Sequence, residues 1–205
     1  MARLGFVDLE ILYLGIKGDG NFNEKDIANS SLQRLGVGRI LDSLASLKDR
    51  KLIDLNEDRT FSITSLARYT LWDEKMPLWV KILRLLEIKS FNDAEISDYL
   101  QKTNQETCEE IENLRQNQLV LMSPQRIESK IIRTYEILPE GIEKLKSVEK
   151  EGFEKHNLDD IHKPEIEIMS KINQTIKEIN ELDVPDDKKE KIIMNLSQIK
   201  EKLEM

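Results

Sequence analysis

One arrangement of apolar and turn-forming residues occurs twice within the first 148 of the 205 residues. In each copy a short apolar helix, a turn and a brief second helix precede a longer third helix, a hairpin of two short strands and a closing helix. A single offset aligns residues 40–53 with residues 107–120 and superposes Leu44 on Ile111, Leu47 on Leu114 and Leu52 on Leu119. This repeat predicts two small units of one fold, because each copy has its own apolar stripe to bury.

Local signals place the elements of each copy. Capping pairs at a spacing of three precede several of the helices: Asn23 with Asp26, Asn92 with Glu95, and Thr103 with Glu106. Pro139 suits the first turn of the closing helix in the second copy. The predicted hairpin strands are residues 52–55 and 60–64 in the first copy and residues 120–122 and 133–138 in the second.

This order of helices and wing resembles the winged helix-turn-helix family of archaeal and bacterial regulators. LASLKDRKLIDL (residues 44–55) is similar to the family's third helix entering the wing, and YEILPEGIEKLK (residues 135–146) to its wing and last helix. The resemblance implies a mostly α fold with small β wings, arranged as two tandem winged-helix domains over residues 1–72 and 73–148. The first copy departs from the family by extra residues between Ile27 and the third helix, and its last helix has SLARY (residues 65–69) without the usual glycine. The resemblance therefore does not fix the orientation of that third helix.

A DNA-binding winged helix places its third helix in the major groove and its wing on the flanking backbone, so the resemblance implies candidate contacts in the first copy. Arg39 would reach O6 and N7 of guanine, and Ser43 or Ser46 would donate to a base edge or a phosphate. The cations available to phosphates are Arg34, Lys48, Arg50, Lys51 and, in the wing, Arg59. The alternative is that all of these are ordinary solvated side chains of an amphipathic helix.

The third helix of the second copy is predicted to present an acidic face, made of Gln105, Glu106, Glu109, Glu110 and Asn113. Glutamates repel phosphates, so we do not expect this helix in a major groove. We expect the second copy to bind a protein partner or to position the first copy. Its wing still offers Arg126, Lys130 and Arg133 to a nucleic-acid backbone.

From residue 149 the sequence loses its strand-like segments. Residues 149–163 are polar and predict a linker, and residues 164–205 carry two apolar stripes separated by a turn at Pro185. We interpret the stripes as an antiparallel helical hairpin of coiled-coil type that joins two chains in a homodimer. The alternative is that the hairpin covers the second copy of its own chain. The predicted seam is Ile168, Ile172, Ile179, Leu182, Ile192, Leu196, Ile199 and Leu203.

Composition and charge narrow the class of protein. The net charge is −8, but residues 1–72 carry equal numbers of basic and acidic side chains. We therefore expect any contact with phosphates at this end of the chain, where the repulsion is weakest. No apolar run reaches the ~20 residues that cross a bilayer, so we expect no membrane insertion. The single cysteine, Cys108, excludes an internal disulfide and suits a reducing cytoplasm.

No catalytic motif occurs in the sequence. It lacks a glycine-rich phosphate loop, a CxxC pair, an HExxH helix and a nucleophile elbow. The two histidines, His156 and His162, lie near Asp159 and Asp160, but their spacing is not one that places two ligands on one helix face. We therefore expect no enzyme activity, no cofactor and no metal site.

The sequence thus predicts a cytoplasmic, homodimeric winged-helix transcription regulator whose first copy reads double-stranded DNA. The alternative is a scaffold that binds protein partners and no DNA, since similar tandem winged helices occur in membrane-remodelling and chromosome-organising complexes. The acidic third helix of the second copy favours this alternative.

Overall fold

The computed structural model describes residues 4–127 and 130–153, together with Thr175 and Ile192. Contacts divide the chain into two compact units, residues 1–155 and residues 156–205. In the smaller unit the two described residues are both helical. The rest of the predicted hairpin lies outside the described residues.

The first half of the larger unit, residues 4–72, contains four helices, a 3-10 turn and three short strands. These elements are α1 (Phe6–Lys17), β1 (Asn21–Phe22), α2 (Glu24–Ala28), the 3-10 turn (Ser31–Arg34), α3 (Val37–Asp49), β2 (Ile53–Leu55), β3 (Phe61–Ile63) and α4 (Ser65–Leu71). Every helix predicted for the first copy is present, although α2 ends at Ala28 while the sequence pattern predicts a helix over residues 24–31.

The second half, residues 73–153, repeats this order of elements. They are α5 (Leu78–Leu86), β4 (Phe91–Asn92), α6 (Asp93–Leu100), α7 (Asn104–Gln116), β5 (Val120–Ile127), β6 (Lys130–Ile137) and α8 (Pro139–Glu151). Helix α8 extends past residue 149, where the sequence predicted the linker to begin. Among the described residues, no helix has the length and apolar character needed to cross a membrane.

Each half builds one antiparallel sheet of three strands in which the last strand lies in the middle. The strand orders are β1-β3-β2 and β4-β6-β5. The described residues are therefore mostly helical with small antiparallel sheets, which is consistent with a winged-helix fold. The outer strands β1 and β4 contain two residues each, which is too short for an alternating pattern to reveal them.

The two halves also share backbone details around the third helix. After α3, Lys51 has a φ of 58°, and after α7 its counterpart Gln118 has a φ of 56°. The amide of Thr64 donates to the carbonyl of Leu52 at 3.0 Å, and the amide of Leu138 donates to the carbonyl of Leu119 at 2.9 Å. The repeat therefore extends from the apolar stripe to individual hydrogen bonds.

All three predicted capping pairs are confirmed. In each pair the side chain of the first residue accepts a hydrogen bond from the backbone amide of the second, which lies three positions later. The carboxylate of the second residue accepts in return from the backbone amide of the first. The pairs are Asn23 with Asp26, Asn92 with Glu95, and Thr103 with Glu106. Pro139 begins α8, as predicted. These local signals fix where the helices start before any long-range packing is considered.

The extra residues of the first copy form the 3-10 turn between α2 and α3. Ser30 caps this turn by accepting from the amide of Leu32, whose own side chain is fully buried. The added segment is thus anchored in the core of the first half, and α3 follows it from Gly36 without a side-chain cap. The second half has no such turn, because α6 ends at Leu100 and leads through Gln101 directly to the cap of α7.

Side chains from both halves hold the larger unit together. The Trp72 indole donates from Nε1 to the carbonyl of Tyr99 at 2.8 Å, and the Tyr13 hydroxyl donates to the carbonyl of Asp98 at 2.6 Å. The guanidinium of the buried Arg84 donates to the carbonyl of Thr70 at 2.7 Å. Because the halves are bonded in this way, their division into separate domains at residue 72 stays a prediction.

Candidate nucleic-acid interface

Helix α3 packs on the first half through one stripe and leaves a broad face to solvent. Ile40 and Leu47 are buried, and Leu44 is partly buried against the same core cluster, which confirms the predicted stripe. The centre of the opposite face consists of residues at steps of four and three, all of them exposed: Gly38, Asp42, Ala45 and Asp49. This centre carries two carboxylates and no cation.

The groups predicted to read bases lie along the flanks of this face. Arg39 and Ser46 are exposed on one flank, while Leu41 and Lys48 are exposed on the other. A groove that received this helix would meet Arg39 and Ser46 only if the helix were rolled toward their side. Asp42, at the centre, can accept from the N4 amino group of cytosine but repels phosphates.

Two of the predicted contact residues face inward instead. The Ser43 hydroxyl donates to Asp8 Oδ1 at 2.8 Å, and the Arg50 guanidinium donates to Asp8 Oδ2 at 3.0 Å. Asp8 lies on α1 and is itself buried, so it needs both partners to compensate for lost hydration. These bonds serve the packing of α1 against α3, and the contact of Ser43 and Arg50 with DNA stays a prediction.

The other predicted cations remain free for a ligand. Arg34, Arg39, Lys48, Lys51 and Arg59 are all exposed. None of their side chains forms an ion pair or hydrogen bond with a residue that the structure describes. Solvated, unpaired cations cost little to bring to a phosphate, because no existing bond has to be broken.

The tip of the first wing is a tight turn that holds a carboxylate beside Arg59. The amide of Asn56 donates to the carbonyl of Thr60 at 2.9 Å, and Asp58 Oδ1 accepts from the amide of Thr60 at 3.0 Å. A second bond, from the Thr60 hydroxyl, helps to hold the pKa of Asp58 below its usual value. The tip of the wing therefore presents Arg59 beside two exposed carboxylates, Glu57 and Asp58, so its attraction to phosphates is modest.

Helix α7 exposes several carboxylates, and one of them, Glu106, lies at the position that Arg39 occupies in α3. Glu106 caps the helix by accepting the amide of Thr103 at 3.0 Å, and Glu112 pairs with Arg115 at 2.7 Å. These bonds hold the pKa of Glu106 and the pKa of Glu112 below their usual values, so both stay ionised near neutral pH. The one arginine of this helix is thus already paired.

Cys108 lies at the position in α7 that Leu41 occupies in α3. The repeat therefore predicts a half-buried packing residue at this position, and Cys108 is partly buried. Burial and the nearby Asp93 raise the pKa of its thiol, which lowers the thiolate fraction. This agrees with the interpretation of Cys108 as a packing residue.

Sequence reasoning missed the apolar side chains that accompany these polar groups. Val37 and Leu41 on α3 are 71% and 58% exposed, and in the second wing Leu121 and Ile131 are also exposed. Arg126 and Arg133 of that wing are exposed, as predicted. A helical-wheel count would have revealed Leu41, which falls outside the stripe of Ile40 and Leu47. It would not have revealed Val37, which continues that stripe and is exposed because it begins the helix.

The remaining predicted residues belong to the smaller unit. Ile192 is helical and 46% exposed, and the other seven residues of the predicted dimer seam lie outside the described residues. His156 and His162 lie outside them too. Within the described part of the chain, no group of three or more candidate ligands is arranged to hold a metal ion.

Comparisons with known proteins do not assign the chain to a family. No protein-family model matches it, and no curated protein matches it. Solved structures of bacterial regulators overlap with it loosely.

A mutant of ZitR from Lactococcus lactis in its apo form has 13% sequence identity and a TM-score of 0.33, covering 82% of this chain and 98% of ZitR. The adhesin competence repressor AdcR from Streptococcus pyogenes has 15% identity and a TM-score of 0.32, covering 70% and 97%. Wild-type ZitR in complex with DNA has 15% identity and a TM-score of 0.29, covering 85% and 98%. These scores are too low to assign a fold, so the winged-helix arrangement rests on the topology of the chain itself.

Proposed function

We propose that the protein is a DNA-binding winged-helix regulator in which the first half contacts the duplex and the second half and tail mediate assembly. In this proposal residues 1–72 and 73–148 are tandem winged-helix domains, and residues 164–205 form the hairpin of a homodimer. The function is binding, not catalysis.

The observation that carries the proposal is the contrast in free cations between the two third helices. In α3 Arg39 and Lys48 are exposed and unpaired among the described residues, whereas in α7 the arginine is bonded to Glu112. Arg34, Lys51 and Arg59 add exposed cations around α3, while the exposed arginines of the second half, Arg126 and Arg133, lie on its wing. Phosphates would therefore be attracted to the first half and repelled by the second.

Roles within this surface follow from position. Arg39, near the start of α3, would donate to guanine, with Ser46 beside it on the same flank. Lys48 and Lys51 at the end of α3, Arg34 before it and Arg59 in the wing would contact phosphates. These roles leave out Ser43 and Arg50, whose polar groups bond to Asp8.

The test is fluorescence anisotropy of labelled duplexes with the full chain at several salt concentrations. We expect binding that weakens with salt, because each phosphate contact contributes about −0.9 to the slope of log K against log salt for B-DNA. Replacing both Lys51 and Arg59 with Gln should reduce the magnitude of this slope by about 2 and lower the affinity for all sequences alike. Arg39→Ala should instead relax the preference among sequences by about 1–3 kcal/mol at one base pair.

Arg115→Gln is the matched control, because it removes an arginine from the equivalent helix of the second half. It should leave DNA affinity within a factor of about two, which corresponds to less than about 0.5 kcal/mol. Absence of binding to any duplex at micromolar protein and low salt would refute the proposal. So would a salt slope that the Lys51 and Arg59 substitutions leave unchanged.

A protein-binding scaffold is the second candidate function, and the apolar residues on α3 favour it. Val37 and Leu41 are exposed on a face whose centre is acidic, a combination that suits a partner with apolar and basic side chains. A partner recovered equally well after nuclease treatment, and lost on Leu41→Asp, would support the scaffold. If Leu41→Asp weakens only DNA binding, the scaffold is rejected.

A further inference from the structure

Two clefts lie where the halves of the larger unit meet, and they differ in how fully their polar groups are bonded. The first, of about 650 Å³, is lined by α1 and α6. In it Lys17 pairs with Asp98 at 3.2 Å, Tyr13 donates to the carbonyl of Asp98, and Tyr99 donates to Glu10. These polar groups already bond to one another, so none of them requires a ligand as a partner.

The second cleft, of about 550 Å³, leaves its charged groups unsatisfied. Three cations line it: Arg68 from α4, Lys81 from α5, and Lys102 from the turn after α6. Asp19 and Glu74 line it as well, but no ion pair within 4 Å joins either of them to the cations. A cavity of this size is in the range that holds small molecules.

Lys81 is the unusual residue of this cleft. Its side chain is only 8% exposed, yet its ammonium has no hydrogen bond or ion pair with any described residue. Burial, together with the charge of Lys102, lowers the pKa of Lys81, and the nearby carboxylates of Asp73 and Glu74 offset only part of this shift. Most of this residue is buried, while its ammonium lines the cleft without a bonded partner, so packing alone does not explain the lysine.

The repeat shows that the fold does not require a lysine here. The offset that superposes Phe22 on Phe91 places Lys81 at the position of Leu12, which is fully buried in the first half. An apolar residue fills this helix position without penalty in one half, whereas the other half has a cation facing a cavity. Unpaired, perturbed lysines in clefts are typical of ligand sites.

We propose that this cleft binds a small polar organic anion, a carboxylate or a phosphate ester, whose charged group is held by Lys81, Arg68 and Lys102. The Trp72 ring lines the same cleft, and since its Nε1 already donates to Tyr99, it offers the ligand only its face. Asp19 and Glu74 accept hydrogen bonds, which favours a ligand that also carries hydroxyl groups. This site is independent of DNA binding.

The test titrates the full chain with inorganic phosphate, citrate and glucose 6-phosphate by calorimetry, each against sodium chloride of equal ionic strength. We expect saturable binding of at least one probe with a Kd at or below about 1 mM, accompanied by a change in Trp72 fluorescence. Citrate and the two phosphates distinguish a carboxylate ligand from a phosphate ligand. No saturable binding of any probe up to about 10 mM would overturn the proposal.

Lys81→Met keeps most of the aliphatic stem and removes the charge. It should lower the affinity for the probe at least tenfold. It should also raise the melting temperature, because a largely desolvated charge without a bonded partner is removed. Lys146→Met, at an exposed position on α8 outside the cleft, is the control and should change neither property. Equal affinity in Lys81→Met and the wild type would overturn the assignment.

Arg68→Met combined with Lys102→Met provides a second variant that does not alter a buried position. Both residues are exposed, so the fold should tolerate the pair. It should also lower the affinity for the probe at least tenfold, and unchanged affinity would again overturn the proposal.

Discussion

The third helices of the two halves, α3 and α7, have the same length and the same buried positions but expose different chemistry. Leu47 and Leu114 occupy equivalent sites and are both fully buried. Around them α3 exposes unpaired cations and apolar side chains, while α7 exposes glutamates that cap the helix or pair within it. One scaffold thus carries two surfaces, because the stripe that fixes a helix on its core leaves the outer face unconstrained.

This comparison also shows where function is to be sought in a repeated fold. Shared positions, such as the residues with positive φ after each helix, report the demands of folding. Positions that differ without a structural need, such as Lys81 against Leu12, point to a ligand or a partner. Variants at paired positions can therefore separate the two kinds of residue.

The largest effect is expected from the buried leucines shared by the two helices. Leu47→Ala and Leu114→Ala should each lower the free energy of unfolding by about 2–5 kcal/mol, since each leaves a cavity in a fully buried site. Urea denaturation followed by circular dichroism measures the loss. A loss below about 1 kcal/mol at either site would show that the two helices are not buried alike.

The next effect tests the closing helices, where the halves have different small residues at one position. A methyl group at Gly141 would lie 2.4 Å from the carbonyl oxygen of Leu119 and 2.8 Å from a side-chain carbon of Ile137, so neither the backbone nor the packed chain leaves room. Gly141→Ala should therefore cost about 1–3 kcal/mol of unfolding free energy.

The counterpart in α4 is Ala67, which is fully buried and already has a methyl group. Ala67→Gly should cost only about 0.5–1 kcal/mol, the usual penalty for glycine in a helix. If both substitutions cost the same in denaturation experiments, α8 does not approach its strand more closely than α4 does.

Much of this architecture was predictable, because capping pairs and apolar stripes are local in sequence. The caps at Asn23, Asn92 and Thr103 are examples: each signal spans only four residues. Strand β5 was predicted only in part, since Ser123 and Pro124 interrupt its apolar signal and their pairing is supplied by β6.

The candidate site was less predictable, because side-chain orientation depends on residues distant in sequence. Ser43 and Arg50 bond to Asp8 on another helix, and no pattern within α3 indicates this. The polar Asp8 within the apolar stretch of α1 was the only available sign that a partner was needed. Likewise, the cleft at Lys81 is lined by Trp72 and Lys102 from neighbouring elements, and no pattern within α5 indicates this.

A smaller effect distinguishes the inward serine of α3 from the outward one. Ser43→Ala removes a hydrogen bond to the buried Asp8 carboxylate and should cost about 1 kcal/mol of unfolding free energy with little change in DNA affinity. Ser46→Ala is the matched control on the exposed face and should change stability by less than about 0.5 kcal/mol. The reverse result, with Ser43→Ala weakening DNA binding at unchanged stability, would restore Ser43 to the interface.

The smallest effect concerns the cap that α7 has and α3 lacks. The amide of Thr103 and its hydroxyl bond to Glu106 and lower the pKa of that carboxyl, so ionised Glu106 stabilises the folded state. A depressed pKa contributes stability above the unfolded value of 4.5, and that contribution is lost as the pH falls through the folded pKa.

Glu106→Gln should therefore be less stable than the wild type at pH 7, and the difference should shrink toward pH 3. The effect is small because solvent screens an exposed carboxylate. Urea denaturation at both pH values measures it, with Glu109→Gln as the control, because Glu109 accepts only from the side chain of Gln105 and no backbone amide of the cap depends on it. A difference that is constant with pH would mean that Glu106 stabilises α7 by its shape and not by its charge. The N-termini of α3 and α7 would then not differ in electrostatic stabilisation.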